Sequence, residues 1–475
     1  MTELPDNLAA GEVARLFPVI AETGKEQKAV SILLSVMAAV PVYAHSILLT
    51  LGQRIGNRTQ VDTFTEIVFK TESKETSKDR PDGLIKVSTG RGRSWSCLIE
   101  AKIGKSELGY DQVDRYIRLA KENCVDAVLT ISNQFAANPT HHPLGKSVKR
   151  PKTVELYHVS WGFLLTEAIR LHEQTVVEDP EQAFLIRELV RFLSHPSAGV
   201  SGFTSMPSEW SATVDKIQAG GRILKGDALV VVGAWHQELR DLSLQLTQLV
   251  RYRVETFLAR KHLADPELRL SDDADTLISD GVLKANLVVP NAASQIHITA
   301  DLKTRVLRVS MMIDAPRDKA RNSSRLNWFL RQIKNTQRED IYISAIWASR
   351  AASTMYSLEE WRDDPKSIDS SANSSEIRAF EIRLVSTNSK RFAGVRTFID
   401  ELENLVPTFY EEVGQHLVAW QAPAPKPMSP PNSERYAGGP DSKTPTGDPK
   451  PQQENKVFGN AHTELLEIPT FLQRL

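Results

Sequence analysis

Between residues 60 and 171 the spacing of apolar positions changes several times, and each spacing predicts a different element. Alternating polar and apolar residues over Thr63–Phe69 indicate a half-buried strand, whereas Trp95–Ile103 is apolar through its middle and predicts a central strand. From Asp111 to Asn123 the apolar residues recur at helical spacing. The other elements predicted in this part are strands at Gly83–Ser88, Asp126–Ser132 and Val154–Val159, and a helix at Trp161–Leu171.

The N-terminal part contains an apolar stretch, Ala29–Leu51, that is long enough to suggest a membrane span. Pro41 lies in its centre, and proline ends one helix and suits the first turn of the next. The stretch therefore predicts two core helices that meet at Val40-Pro41, and no association with a membrane. Upstream of it, the spacing predicts a short amphipathic helix around Val13–Ile20.

A second series of elements follows the first domain, which we assign to residues 1–196. A segment rich in Ser, Gly and Pro predicts a linker at residues 197–226. Residues 227–420 combine runs of strands with flanking helices, the pattern of an α+β domain whose function the sequence does not indicate. The predicted helices are Trp235–Ala264, Ser323–Lys334 and Lys390–Trp420, and the strands are Leu283–Val289, Gln295–Ala300, Arg305–Ile313, Ile341–Trp347 and Ile377–Val385.

After residue 420 the pattern of a folded domain ends. Residues 421–456 are dense in Pro, Lys, Gln, Ser and Gly and have almost no large apolar residues, which predicts a disordered linker. Hydrophobicity returns in residues 457–475, and a short apolar motif on a tether suits docking into a partner protein, or packing on its own body. The motif, which resembles the tail peptide of the bacterial tubulin-like cell-division protein, is Ile468-Pro469-Thr470-Phe471-Leu472.

The composition of the chain limits the classes of protein to which it can belong. The chain has 475 residues, with 58 Lys and Arg against 59 Asp and Glu and a net charge of −1. This balance gives no global basic field, so nucleic-acid binding would have to use local patches. Two cysteines argue against a disulfide framework and fit a reducing cytoplasm. The opening residues lack the basic region of a secretory signal, so we expect a cytoplasmic protein.

One set of side chains has the chemistry of a metal site. Glu100 and Lys102 lie two residues apart on the predicted central strand, so their side chains project from the same face. With Asp82 they offer two carboxylates and an ammonium, and Mg²⁺ commonly takes one or two carboxylates together with waters and a substrate phosphate. Lys102 could orient a water, accept its proton or neutralise developing charge. Gln112 and Tyr116 share a helix face and can point back at the strand.

Three motifs in this order resemble a known superfamily. Asp82 follows a proline, Glu100-Ala101-Lys102 lies on a strand, and Gln112 to Tyr116 resembles the QxxxY motif, as in the exonuclease-like branch of the PD-(D/E)XK nucleases. The resemblance covers residues 61 to about 170 and implies an α/β restriction-endonuclease-like core, a mixed sheet flanked by helices. It also implies Mg²⁺, or Mn²⁺, at Asp82 and Glu100, with Lys102, Gln112 and Tyr116 completing the catalytic set.

Two further acids are candidate metal ligands. In the superfamily an acid of the first helix sometimes joins the metal site, and Glu26 is in that place, although the neighbouring Lys25 and Lys28 favour a solvated helix start. Glu66 shares a strand face with Phe64, so it either approaches the metal or lies on an exposed edge.

The segment 133–152 is a candidate surface for the phosphate backbone of a nucleic acid. It has no acidic residue after His141, and clustered cations neutralise phosphates without reading sequence. Its cations are Lys146, Lys149, Arg150 and Lys152.

Two functions are therefore expected as alternatives. The first is a Mg²⁺-dependent phosphodiesterase that acts on nucleic acid, with DNA as the expected substrate, in defence, repair or a stress response. The second is a binding or scaffold protein that keeps the nuclease fold without hydrolysis and recruits a partner through its C-terminal tail.

Overall fold

A computed structural model describes residues 6–17, 24–54, 56, 59–70, 80–88, 94–145, 148, 152–370 and 375–422. The chain up to Ala422 forms one compact unit that contains two β-sheets. The predicted disorder of residues 421–456, from 423 onward, and the docking motif of residues 457–475 lie outside the described residues.

The first half of the unit is a mixed sheet flanked by helices, as predicted. Its six strands follow one another across the sheet in chain order; neighbours from β1 to β4 are antiparallel, whereas β5 and β6 add in parallel. The strands are β1 (Leu8–Val13), β2 (Gln60–Phe69), β3 (Gly83–Ser88), β4 (Ser94–Ala101), β5 (Ala127–Ser132) and β6 (Glu155–Ser160). The helices are α1 (Lys25–Ala39), α2 (Pro41–Thr50), α3 (Tyr110–Glu122), α4 (Trp161–Glu173) and α5 (Pro180–Ser194).

Side-chain alternation on β4 separates two apolar cores. Ile99 and Ala101 are buried in the core that contains α1, α2, α4 and α5, whereas Leu98 is buried on the opposite face with Val113 and Ile117 of α3. A strand that is buried on both faces lies inside the sheet, which explains its nearly continuous run of apolar residues. The predicted central position of this strand is confirmed.

The apolar stretch Ala29–Leu51 forms two helices that meet at Val40-Pro41, as predicted. Tyr43 of α2 is buried and donates a hydrogen bond to the carbonyl of Leu164 at 3.0 Å, which joins α2 to α4. In the part of the chain that the structure describes, no single helix has the length and apolar character needed to cross a membrane. The pair α1 and α2 reaches that length only when the two helices are taken together, and they bend by 109°.

The helix predicted around Val13–Ile20 is wrong for its described residues. Leu8–Val13 form strand β1, which pairs with β2, and residues 14–17 are not helical. Pairing along the edge of the sheet satisfies the backbone of this short segment, a tertiary contribution that helical spacing alone does not capture.

The second half is built on a sheet of seven antiparallel strands in the order β12-β11-β13-β10-β9-β8-β7. The strands are β7 (Glu255–Thr256), β8 (Val282–Val288), β9 (Ile296–Asp301), β10 (Val306–Asp314), β11 (Ile341–Trp347), β12 (Thr354–Ser357) and β13 (Ile377–Ser386). The helices are α6 (Glu209–Gln218), α7 (Lys225–Val250), α8 (Arg260–Ala264), α9 (Pro266–Asp280), α10 (Asn322–Leu330), α11 (Leu358–Asp363), α12 (Ser389–Ala393) and α13 (Thr397–Glu412).

Parts of this half differ from the sequence-based expectation. The single helix predicted at Lys390–Trp420 is wrong: the chain forms α12 and α13 there, separated after the C-cap Gly394, and α13 ends at Glu412.

The segment 197–226 contains α6, whose Trp210 and Val214 are fully buried in the core of the second sheet. The long helix predicted at Trp235–Ala264 ends at Val250, because Arg251 adopts a left-handed conformation with φ of 64°. Apolar spacing continues past this residue, so the pattern does not reveal the break.

Helix α7 connects the two halves. Gln248 of α7 donates a hydrogen bond to the hydroxyl of Thr166 at 2.8 Å, and Arg253 just beyond it forms an ion pair with Glu167 at 2.9 Å. Arg170 reaches the same carboxylate, also at 2.9 Å. Two guanidinium groups therefore neutralise one buried carboxylate where the halves meet.

The packing of α2 predicts different costs for two adjacent leucines. Leu48 is fully buried, whereas Leu49 is 49% exposed. Leu48→Ala should lower the free energy of unfolding by about 2–5 kcal/mol, because it leaves a cavity, while Leu49→Ala should cost less than about 1 kcal/mol. Denaturant unfolding followed by circular dichroism measures both. Equal losses would contradict the orientation of this helix.

Candidate active site

The pairing of β3 with β4 brings Asp82 and Glu100 to one end of the first sheet. The antiparallel register places Gly83 opposite Ile99, so the residue before β3 lies beside the last residues of β4. Asp82 is half-buried, and its Oδ2 accepts a hydrogen bond from the backbone N–H of Ala101 at 2.8 Å. Among the described residues no donor reaches its Oδ1, which can therefore serve as a ligand atom.

Glu100 is the centre of the hydrogen bonds at this site. Its side chain is buried, and its Oε1 accepts from Nζ of Lys102 at 2.5 Å and from Nε2 of Gln112 at 2.6 Å. The same nitrogen of Gln112 lies 3.4 Å from the hydroxyl of Tyr116, which donates to the carbonyl of Arg80 at 3.2 Å. The structure thus brings the predicted residues of β4 and α3 together.

Glu26 also reaches the site, from the first turn of α1. Its Oε2 lies 3.6 Å from Nζ of Lys102, and its Oε1 accepts a hydrogen bond from the backbone N–H of Ile103 at 3.3 Å. The neighbouring lysines favoured a solvated helix start for this residue. The structure instead places its carboxylate beside the end of β4, the position that the family resemblance implies.

Glu66 lies apart from this cluster. It is exposed on β2 at a shift in the pairing with β1, and its φ of 53° departs from strand geometry. Within the described part of the chain, no hydrogen bond or ion pair connects it with Asp82, Glu100 or Lys102. The side chain is therefore exposed, as the second alternative expected, although β2 lies between β1 and β3 and is not an edge strand.

Burial and mutual repulsion favour protonation of the two central acids. Burial, followed by the charge of Glu100, raises the pKa of Asp82 to about 8, although the N–H of Ala101 and the charge of Lys102 oppose the shift. Burial likewise raises the pKa of Glu100, against the hydrogen bond and the charge of Lys102. Near neutral pH the metal-free site therefore retains a proton.

The same surroundings favour the charged form of Lys102. Burial alone would lower its pKa, but the hydrogen bond to Glu100 and the charges of Glu100, Glu26 and Asp82 raise it above the usual value. The ammonium therefore remains protonated at neutral pH. Three carboxylates around one ammonium would carry a charge of −2 when all are ionised, and one divalent cation would neutralise that charge.

Contacts with residues outside the predicted set hold the end of β4. The indole of the buried Trp161 donates a hydrogen bond to the carbonyl of Lys102 at 2.9 Å. The side chain of Asn133 donates to the carbonyls of Gly104 at 3.1 Å and Gly199 at 2.8 Å. The sequence signal for Trp161 was only an aromatic residue at the start of a helix, which by itself indicates core packing.

Gly199 fits this position because it lacks a side chain. Its φ is +71°, and a Cβ atom there would lie 2.4 Å from Cγ2 of Ile103. Its carbonyl also accepts the backbone N–H of Gly104 at 3.1 Å. The segment after α5 therefore supports the backbone immediately beyond Lys102.

The proposed nucleic-acid-binding segment is described at residues 133–145, 148 and 152, which include one of its four cations. Lys146, Lys149 and Arg150 lie outside the described residues, and Lys152 is exposed. The phosphate-binding surface therefore stays a prediction.

No protein-family model matches the chain, and the comparisons with curated proteins and with solved structures found no similar protein. The assignment of function therefore depends on the geometry of the site.

Proposed function

We propose that this chain is a Mg²⁺-dependent nuclease that cleaves phosphodiester bonds, with DNA as the first substrate to test, through a PD-(D/E)XK site. The observation that carries the proposal is the meeting of Asp82, Glu100 and Lys102 with Gln112 at one end of β4. Side chains from two strands and a helix converge there, although Asp82 and Gln112 are 30 positions apart in the sequence.

The arrangement of elements supports a restriction-endonuclease-like core. Helices α1 and α2 are followed by three antiparallel strands β2–β4, by α3, and by β5 and β6, which add in parallel. This is the order that the family resemblance implies. The strand with the Glu and Lys of the motif lies inside the sheet, where it is held on both faces.

The donor set fits a hard divalent cation. Asp82 and Glu100 supply carboxylate oxygens, and Glu26 is close enough to Lys102 to add a third carboxylate to the site. When bound, a magnesium ion supplies positive charge that acidifies a water and polarises a phosphoryl oxygen. A bound cation would then favour the carboxylate forms of Asp82 and Glu100, against the burial that raises the pKa of both.

Lys102 acts best as a cation and hydrogen-bond donor. Its ammonium has three N–H groups, and its contacts with Glu100 and Glu26 engage at most two of them. At least one N–H is left to orient a water or to neutralise charge on a phosphate oxygen. Its raised pKa favours these roles over acceptance of a proton. Gln112 and Tyr116 are positioning residues, because they hold Glu100.

Removing one carboxylate or the ammonium should abolish cleavage without unfolding the chain. Asp82→Asn and Lys102→Met should each lower the rate by at least about 100-fold, because each removes charge that acts on the reacting groups. The assay uses labelled DNA and RNA, single- and double-stranded, with Mg²⁺, Mn²⁺ or EDTA, and circular dichroism checks the fold.

Matched controls come from exposed positions nearby. Asp111→Asn and Lys105→Met make the same chemical changes at exposed residues outside the cluster, and both should cleave like the wild type. Undiminished cleavage by purified Asp82→Asn would contradict the proposal. Metal binding without cleavage of any substrate would favour the alternative of a catalytically silent binding protein.

Metal binding at this site should depend on pH in a defined direction. With a pKa of about 8, the Asp82 carboxyl is protonated below that pH, and a metal ligand must lose its proton. We expect the affinity for Mn²⁺ to fall by about tenfold per pH unit below 8, for one displaced proton, and to level off above it. Calorimetry in buffers of different ionisation enthalpy measures the released proton. An affinity that is constant from pH 6 to 8 would contradict this account.

A further inference from the structure

A second group of acids lies inside the other half of the molecule. Glu238 and Asp241 are three positions apart on α7 and therefore share a face of the helix, and Glu403 on α13 approaches the same face. One carboxylate oxygen from each of these residues lies within 4.8 Å of the other two. The group is separate from the Asp82 site and played no part in the sequence-based prediction.

Glu238 is the unusual member of this group. Its side chain is 0% exposed, and in the described part of the chain neither of its carboxylate oxygens has a hydrogen-bond partner. A buried polar group without a partner costs free energy, and a buried charge without a partner costs considerably more. These oxygens therefore require a ligand that the described residues do not supply, or a proton.

The other two acids are held in place by the protein. Oδ2 of Asp241 accepts the backbone N–H of Phe203 at 2.6 Å, and Asp241 is also buried. The side-chain amide of Gln245, one turn along α7, donates to Oε1 of Glu403. Among the described residues, no Lys, Arg or His forms an ion pair with any of the three acids. Nothing in this part of the structure therefore neutralises their charge.

The geometry points to a divalent cation site formed by Glu238, Asp241 and Glu403. Carboxylate oxygens are the ligands that hard divalent cations prefer. The two unpaired oxygens of Glu238 suit bidentate binding, and the other acids each add an oxygen. Such an ion would tie α7, α13 and the segment before α6 together, so its role is to stabilise the second half.

The two unpaired oxygens of one carboxylate favour Ca²⁺ over Mg²⁺, because Ca²⁺ takes carboxylates in bidentate mode and in flexible geometry, whereas Mg²⁺ demands a nearly ideal octahedron. Ligand oxygens lie about 2.3–2.6 Å from Ca²⁺ but about 2.0–2.1 Å from Mg²⁺. Oxygens that lie within 4.8 Å of one another can reach one Ca²⁺ with little movement.

The test measures cation binding and thermal unfolding of the full chain, without reference to cleavage. We expect the wild type to bind two Mn²⁺ ions by calorimetry, and Glu238→Gln and Asp82→Asn to bind one each. Ca²⁺ should raise the midpoint of thermal unfolding by at least about 2 °C in the wild type and in Asp82→Asn, and should leave the double variant Asp82→Asn with Glu238→Gln unchanged. Glu403→Gln, at a partly exposed position, should weaken Ca²⁺ binding while the chain still folds.

Glu411→Gln is the matched control, because Glu411 is exposed on the same helix as Glu403. It should bind Ca²⁺ like the wild type. If Asp82→Asn shows no Ca²⁺-dependent stabilisation, and Glu238→Gln binds as many Mn²⁺ ions as the wild type, the second site does not exist and Glu238 is simply protonated. Failure of the metal site at Asp82 would give a different result. In that case Asp82→Asn, and not Glu238→Gln, would bind as many Mn²⁺ ions as the wild type.

Discussion

Buried negative charge is the physical constraint on which the architecture of this protein depends. At the end of β4, Glu100 is buried with Asp82 beside it, and the only ammonium in contact with Glu100 among the described residues is that of Lys102. One positive charge cannot balance two or three carboxylates, so the site must hold a proton or bind a cation. Under the proposed function, a cation that neutralises this negative charge would also attract a phosphate.

The segment between α5 and α6 contacts the backbone beside the first group of acids and one member of the second group. Gly199 holds the backbone after Lys102 through Gly104, and four residues later Phe203 donates its N–H to Asp241. Helix α6, which follows this segment, packs in the core of the second sheet. The two halves are therefore connected by folded chain, and the position of β4 depends on residues that a domain boundary at 196 would exclude. Replacing the stretch with a flexible linker would remove these contacts.

Much of the candidate site could be predicted because its signals are local. Alternation along β4 places Glu100 and Lys102 on one face, and helical spacing does the same for Gln112 and Tyr116. The position of the Glu26 side chain could not be decided from the sequence, because its contact with Ile103 joins residues 77 positions apart. Likewise, burial of α6 and the end of α7 at residue 250 depend on tertiary packing and on one left-handed residue, which apolar spacing does not encode.

The most direct test of the account is to locate the bound cation. Crystals of the protein soaked in Mn²⁺, measured with anomalous scattering, should show a peak about 2.0–2.6 Å from carboxylate oxygens of both Asp82 and Glu100, next to the ammonium of Lys102. No peak at the end of β4 at a saturating concentration of Mn²⁺, with both carboxylates in place, would contradict the central claim that these residues form a metal site.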